Sequence, residues 1–303
     1  MAAMTSRTRG SESIREAVVL SAGDRIAIIA GSGALPVALA RGLEGRGHRP
    51  FVVSAGGEVD DPSAFAAFDG ISLALEEIGR LVPALKKNRI THVVLAGGIG
   101  RRPNWKKLRP SIGLLRMLPV VVSRLAKGDN AVLSALVQHI EENGIRVVGA
   151  HQILPDLLAA PGALGRRSPT DRDRRDIDAA HEAARAIGAL DIGQAAVAVG
   201  GRVIALEGIE GTDGLLERVG DLRTHGRIGG AAGGVLVKCA KPGQELRADL
   251  PTIGPLTVEA AHAAGLAGIA VEADRSLVLE AATVAARADA LGMFVFGLKR
   301  PER

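Results

Sequence analysis

The sequence predicts an α/β protein built from two α/β domains, the N-terminal one around a parallel sheet. Three observations carry that prediction. Short apolar runs alternate with helical stripes from residue 25 to about residue 150. The composition then shifts to Gly, Pro, Arg and Asp over residues 161–178, and the strand and helix patterns resume beyond it. Strands separated by helices at this spacing pair in parallel through right-handed crossovers. Hydrophobic residues make up 47% of the 303, yet there is one Trp, no Tyr and five Phe. The cores are therefore aliphatic, and the chain is long enough for two of them.

Residues 1–23 are polar and rich in small residues, with a weak apolar patch at Val18-Val19-Leu20. Glu12 and Glu16 argue against a secretory signal, so this stretch reads as a disordered leader or extension. Residues 24–160 form the N-terminal domain, with a Rossmann-like pattern. Arg25-Ile-Ala-Ile-Ile-Ala30 reads as a buried strand turning at Gly31-Ser32-Gly33 into a helix that runs to about Arg46. Pro36 in the first turn and Gly47 past the end fit the start and stop preferences of helices. Strands follow at residues 50–54, 92–96 and 145–150, with helices at 76–88 and 129–143. Residues 161–178 read as the linker and 179–303 as the C-terminal domain. There, residues 195–207 form a hairpin turning at Gly200-Gly201, and helices are expected at 179–189, 212–223, 255–264 and 276–290. Strands are expected at 234–238 and near Ala270 and Phe294.

The chemistry concentrates between Glu207 and Pro255. Glu207, Glu210 and Asp213 lie among glycines, Lys238 ends a strand, Lys241-Pro-Gly follows it, and Arg247 and Asp249 precede Pro251. Carboxylates suit a hard divalent cation, lysines suit phosphate, and glycines let backbone amides approach an anion. The combination points to magnesium-assisted phosphate chemistry, with Asp249 as a metal ligand and Lys238 and Lys241 as neutralising cations. Thr212-Asp213 also fits a plain helix cap. Asp191-Ile-Gly-Gln194 and Gly128-Asp129-Asn130 fit turn and cap chemistry as well as a site. Gly31-x-Gly33 has Pro36 where a dinucleotide fingerprint has its third glycine, and no acid ends the second strand, so a tight turn explains it as well as phosphate does.

Cys239 is the single cysteine, which excludes a disulfide framework and a thiolate metal cluster. The seven histidines show no pair at helical ligand spacing, which argues against zinc. Both facts fit a reducing cytoplasm. No apolar run approaches the roughly 20 residues that span a bilayer. A net charge of +5 favours an anionic partner. Residues 101–127 hold eight basic residues and no acid, interleaved with Trp105 and apolar side chains. That strip suits an anionic lipid surface better than nucleic acid, since almost no aromatics are available to stack bases.

Several long motifs in order resemble the LpxI-type UDP-2,3-diacylglucosamine pyrophosphatases of lipid A biosynthesis. They are Ile-Ala-Gly31-Ser-Gly33-Ala-Leu-Pro36, Gly128-Asp129-Asn130, Asp191-Ile-Gly-Gln194, Glu207-Gly-Ile-Glu-Gly-Thr-Asp213, Val237-Lys238-Cys-Ala-Lys241-Pro-Gly-Gln244 and Asp249-Leu-Pro-Thr-Ile-Gly254. The resemblance covers nearly all of residues 25–298. It implies two α/β domains holding the lipid between them, and magnesium-dependent hydrolysis of UDP-2,3-diacylglucosamine to UMP and 2,3-diacylglucosamine 1-phosphate (lipid X). It implies magnesium held by Asp249 and Asp213, with Asp249, Asp213 and Lys238 catalytic. It also implies substrate contacts at Gly33, Ala34, Asp129, Gln194, Gly211, Thr212, Lys241 and Thr252, the first two receiving part of the uridine nucleotide. A cytoplasmic enzyme peripheral on the inner membrane, with a homodimer in prospect, follows from the same likeness. Asn130 departs from it, standing where a second Asp is expected. Two rivals remain: a hydrolase or transferase of soluble nucleotide sugars, and a carrier that binds a nucleotide sugar or lipid without catalysis.

Overall fold

The computed structural model describes residues 17–101, 129–228 and 233–299. The first domain is a five-stranded, all-parallel sheet: β1 (Ile26–Ala30), β2 (Phe51–Ala55), β3 (Gly70–Leu73), β4 (His92–Ala96) and β5 (Arg146–Val147), in the order β3-β2-β1-β4-β5. Alternation along β1 sorts its side chains between two layers. Ile26, Ile28 and Ala30 pack with Leu39, Ala40 and Leu43 of α1 (Leu35–Gly45), and Ala27 packs on the other face. That other face meets α2 (Leu81–Lys87) and α3 (Asp129–Glu142) through Leu85, Val137 and Ile140. A short helix, α4 (Ala150–Ile153), follows β5.

The second domain is a mixed six-stranded sheet of β6 (Gly162–Ala163), β7 (Ala195–Val199), β8 (Arg202–Leu206), β9 (Val235–Lys238), β11 (Gly268–Glu272) and β13 (Phe294–Leu298), in the order β6-β13-β11-β9-β7-β8. Its centre, β9, β11 and β13, is parallel, while the β7–β8 hairpin and β6 pair antiparallel. Helix α5 (Asp171–Ala189) covers one face through Ile177, Ala180 and Ala184. Helices α6 (Gly211–Thr224), α7 (Pro255–Ala263) and α8 (Ala281–Leu291) cover the other through Leu215, Val258 and Val284. Two short strands, β10 (Thr252–Ile253) and β12 (Leu277–Val278), pair in parallel beside this sheet.

The α/β class and the parallel first sheet agree with the sequence, and several boundaries differ. Residues 161–178 are not a bare linker: β6 pairs with β13 there, and Thr170, capping α5 against Asp173, starts a nineteen-residue helix. Within the expected leader, Val18 donates its amide to the Gln152 carbonyl (2.9 Å), and Val18 and Leu20 pack on the first domain's core, so residues 17–23 are docked. Residues 1–16, and the basic strip apart from Arg101, lie outside the described residues. The expected strand at 145–150 is two residues long, because α4 begins at Ala150.

The domains are stitched together by the loop after β9. Asn130 donates to the Gly243 carbonyl (3.2 Å) and accepts from the Glu245 amide (2.9 Å). Arg247 pairs with Glu141 of α3 (2.6 Å) as well as its neighbour Glu245 (2.9 Å). Leu250 is buried in the first domain's core, with Leu246 packed against it. The segment carrying Asp249 is therefore anchored on the opposite domain from Lys238.

Candidate active site

Lys238 is the last residue of β9, and the order of elements decides what surrounds it. Helices α6 and α7 each lead into one of the parallel strands β9 and β11, so both begin at the C-terminal edge of the sheet, where Lys238 ends β9. Helix N-termini present unpaired amides and positive dipole ends, a ready-made place for an anion. Lys238 lies on the α6/α7 face, in alternation with Leu236, and only 6% of it is exposed.

A buried ammonium is expensive unless it is partnered. Lys238 Nζ donates to the Thr252 carbonyl (3.0 Å). Burial pushes its pKa below the usual lysine value, against the opposing pull of the Glu207, Asp249 and Asp213 carboxylates. Asp249 shows the converse: burial raises its carboxyl pKa, although a 2.6 Å hydrogen bond from Gln244 Nε2 and the charges of Lys241 and Lys238 pull it down. Lys238 and Asp249 are thus two desolvated groups, each near enough to feel the other's charge.

Glu207 is spoken for. Its two oxygens accept from the Gln194 amide (2.7 Å) and the Thr212 hydroxyl (2.6 Å), which fixes the loop that leads into α6. That loop needs Gly193: a Cβ there would lie 2.3 Å from the Glu207 carbonyl oxygen. Gln194 itself holds a buried side-chain oxygen with no hydrogen-bond partner among the described residues, an acceptor beside Glu207. Asp213, in the first turn of α6, is exposed.

Three matches with known sequences follow this geometry. The model of the LpxI N-terminal domain matches residues 25–157, and that of the LpxI C-terminal domain matches residues 160–296. The chain belongs to the LpxI family. It is 42% identical over 285 residues to the UDP-2,3-diacylglucosamine pyrophosphatase LpxI of Caulobacter vibrioides, covering 92% of this chain and 99% of that protein.

Of the positions that carried the LpxI resemblance, the structure brings together Lys238, Asp249, Asp213, Thr212, Gly211, Gln194 and Thr252 around the end of β9. Lys241 is nearby but committed: its Nζ donates to Asp191 (2.6 Å), so the expected second phosphate cation already has an internal partner. Glu210 pairs with Arg218, and Arg247 with Glu141 and Glu245. Gly33 and Ala34 lie on the other domain, between β1 and α1. The Gly33 amide, expected to meet phosphate, donates instead to Asp60 (2.8 Å). Asp129 opens α3. Asn130, which departs from the expected Asp, has a structural occupation at the domain junction.

The roles of Asp191, Gln244 and Asn130 were missed in the sequence. Asp191 has a left-handed backbone (φ 54°) and holds both Lys241 and, at 3.4 Å, the Asn130 amide. The Asp-Ile-Gly turn motif was the available signal, but its partners are 50 and 61 residues away.

The donor set at Lys238 can be tested against magnesium. Asp249 and Asp213 offer hard oxygen ligands, and desolvation raises the Asp249 carboxyl pKa, a cost that a bound cation would offset. Neither belongs to a close group of three His, Cys, Asp or Glu donors among the described residues. That suits an ion which takes one or two carboxylates and leaves its other positions to water and substrate phosphate. The residues fit.

Proposed function

We propose that this protein hydrolyses the pyrophosphate bond of UDP-2,3-diacylglucosamine, releasing UMP and 2,3-diacylglucosamine 1-phosphate. The observation that carries the reading is the buried Lys238, with the half-buried Asp249 close enough to feel its charge, at the sheet edge where α6 and α7 begin, in a chain aligned almost end to end with a pyrophosphatase of that name. A pyrophosphate repels nucleophiles, so catalysis rests on positioning and charge neutralisation. Lys238, held out of water by the Thr252 carbonyl and the sheet, places a fixed positive charge where negative charge develops on the phosphoryl oxygens. The Thr212 amide in the first turn of α6 adds a donor to the same region, while the Gly211 amide is held by the Gly208 carbonyl (3.3 Å). Gln194 offers its open carbonyl oxygen to a substrate hydroxyl or to the attacking water.

Asp249 and Asp213 would hold magnesium, which when bound supplies Lewis-acid charge to the phosphoryl oxygens and to water. Asp249 reaches the site from a loop anchored on the first domain, so its position depends on how the two domains meet. The enzyme works at the cytoplasmic face of the inner membrane, a reading supported by its lipid substrate; no helix among the described residues is long and apolar enough to cross a membrane.

The deciding experiment is hydrolysis of UDP-2,3-diacylglucosamine by the purified protein in detergent micelles, first with magnesium and then with excess chelator. UMP and lipid X should appear and stop on chelation. Binding without turnover under any divalent cation would favour a carrier. Equal rates on a deacylated substrate without detergent would favour a hydrolase of soluble nucleotide sugars.

A further inference from the structure

The face of the second sheet away from Lys238 carries an unassigned cluster. Side chains alternate along β9, so Cys239, one residue past Lys238, turns to the α5 face and packs with Ala180, Ala184 and Ala270. There it meets His181 of α5 and Glu272, which ends β11. One ligand atom from each of the three lies within 4.8 Å of the others. His181 Nε2 and Glu272 Oε1 are already 3.3 Å apart. Four-coordinate zinc, with bonds of about 2.0–2.3 Å, sets its ligand atoms roughly 3.3–3.7 Å apart, the separation His181 and Glu272 already have, and the 4.8 Å limit leaves the three atoms to close in on an ion.

We infer that His181, Cys239 and Glu272 form a binding site for a borderline-soft divalent cation of the zinc type, separate from the hard-ion chemistry at Asp249. Thiolate, imidazole and carboxylate together are a donor set that selects zinc or cobalt over magnesium. Three protein ligands leave the fourth position of a tetrahedral site to water. The Ala240 amide holds the other Glu272 oxygen (3.2 Å), which orients the carboxylate as outer hydrogen bonds orient metal ligands. The His181 side chain is 28% exposed, which gives an ion a route in. Burial raises the metal-free thiol to about 12, so an entering ion must displace a firmly held proton and binding strengthens as pH rises. Arg275, with Nε 3.9 Å from Glu272, and Arg185 add positive charge nearby, which weakens the site without removing its ligands. The bound ion would tie the end of β9 to α5 and β11, immediately behind Lys238.

Cobalt titration of the metal-free, full-length protein tests this directly. We expect one equivalent to give a sulfur-to-cobalt charge-transfer band together with the visible bands of four-coordinate cobalt. Zinc should bleach both, and a large excess of magnesium should leave them. Cys239→Ser should abolish the charge-transfer band while keeping magnesium-supported turnover. His181→Gln, a second variant should Cys239→Ser fail to fold, should weaken cobalt binding at least about tenfold. No charge-transfer band with excess cobalt, an undiminished band in Cys239→Ser, or unchanged affinity in His181→Gln would each overturn the assignment.

Discussion

The two sheets present similar C-terminal edges and treat charge there in opposite ways. In the first domain the edge is closed. Gly31 sits so tightly against Gly98 that a Cβ would lie 2.1 Å from the Gly98 carbonyl oxygen, and Asp60 occupies the Gly33 amide. Its buried histidine, His151, is pushed down to about 4 by burial. In the second domain the edge is left unsatisfied. Lys238 is buried and Asp249 half-buried, with their pKa values displaced by desolvation toward the neutral forms. A parallel-sheet edge alone thus makes a turn. A site needs charge that the fold has desolvated and not fully matched, because such groups gain most when substrate and cation arrive.

The largest test of that contrast is Asp249→Ala. Removing this half-buried carboxylate should lower kcat by about a thousandfold or more while the fold persists, read from steady-state turnover beside circular dichroism. Near-wild-type turnover would take Asp249 out of the chemistry and leave the second edge no more functional than the first.

Lys238→Met comes next. It should cost between about a hundredfold and a thousandfold in kcat. Its stability signature is separate. A lysine whose folded pKa is depressed is stabilising above its unfolded pKa and loses that contribution as pH falls through the folded value. Below that unfolded value the lysine therefore carries a desolvation cost, and the methionine variant should not melt below the parent. A lower melting temperature with full activity would make Lys238 structural.

These residues show how much the sequence disclosed. The acids and lysines between Glu207 and Asp249 were legible, because charge packed among glycines and apolar strands has few structural uses. The β7–β8 hairpin was legible from Gly200-Gly201, and the alternation of strands and helices gave the first sheet. What stayed hidden depends on partners far along the chain. Nothing local says that Asp191 claims Lys241, that Asp60 fills the Gly33 amide, or that Asn130 joins the domains. The His181–Cys239–Glu272 group escaped a search for ligand spacing because its members come from three different elements. Short strands such as β6, β10 and β12 carry too few residues for any periodicity to register.

The first domain offers the sharper pH test. His151 is buried, its Nδ1 without a partner among the described residues, and burial pushes it down to about 4, below its unfolded value of 6.5. A histidine depressed in this way contributes stability that is present above the unfolded pKa and is lost as pH falls toward the folded one. That loss should amount to about 3 kcal/mol between neutral pH and pH near 4. His151→Phe should flatten the acid limb of a urea-midpoint profile over that window. An unchanged slope would assign the acid sensitivity elsewhere.

The smallest expected effect sits where the two regions meet. Asn130→Ala removes one donor and one acceptor from the junction with the loop at Gly243 and Glu245, an expected loss of about 1–2 kcal/mol at a partly exposed site. Its value as a test lies in the kinetics. Asp249 reaches Lys238 only because residues 245–250 are seated on the first domain, so loosening that seat should misplace Asp249. The variant should therefore lose kcat by a larger factor than it loses substrate affinity, and Asn130→Asp, which keeps the acceptor for the Glu245 amide, should recover part of the loss. If Asn130→Ala changes stability and leaves kcat untouched, the junction holds the domains together without setting the geometry of the site, and the second edge is complete within its own domain.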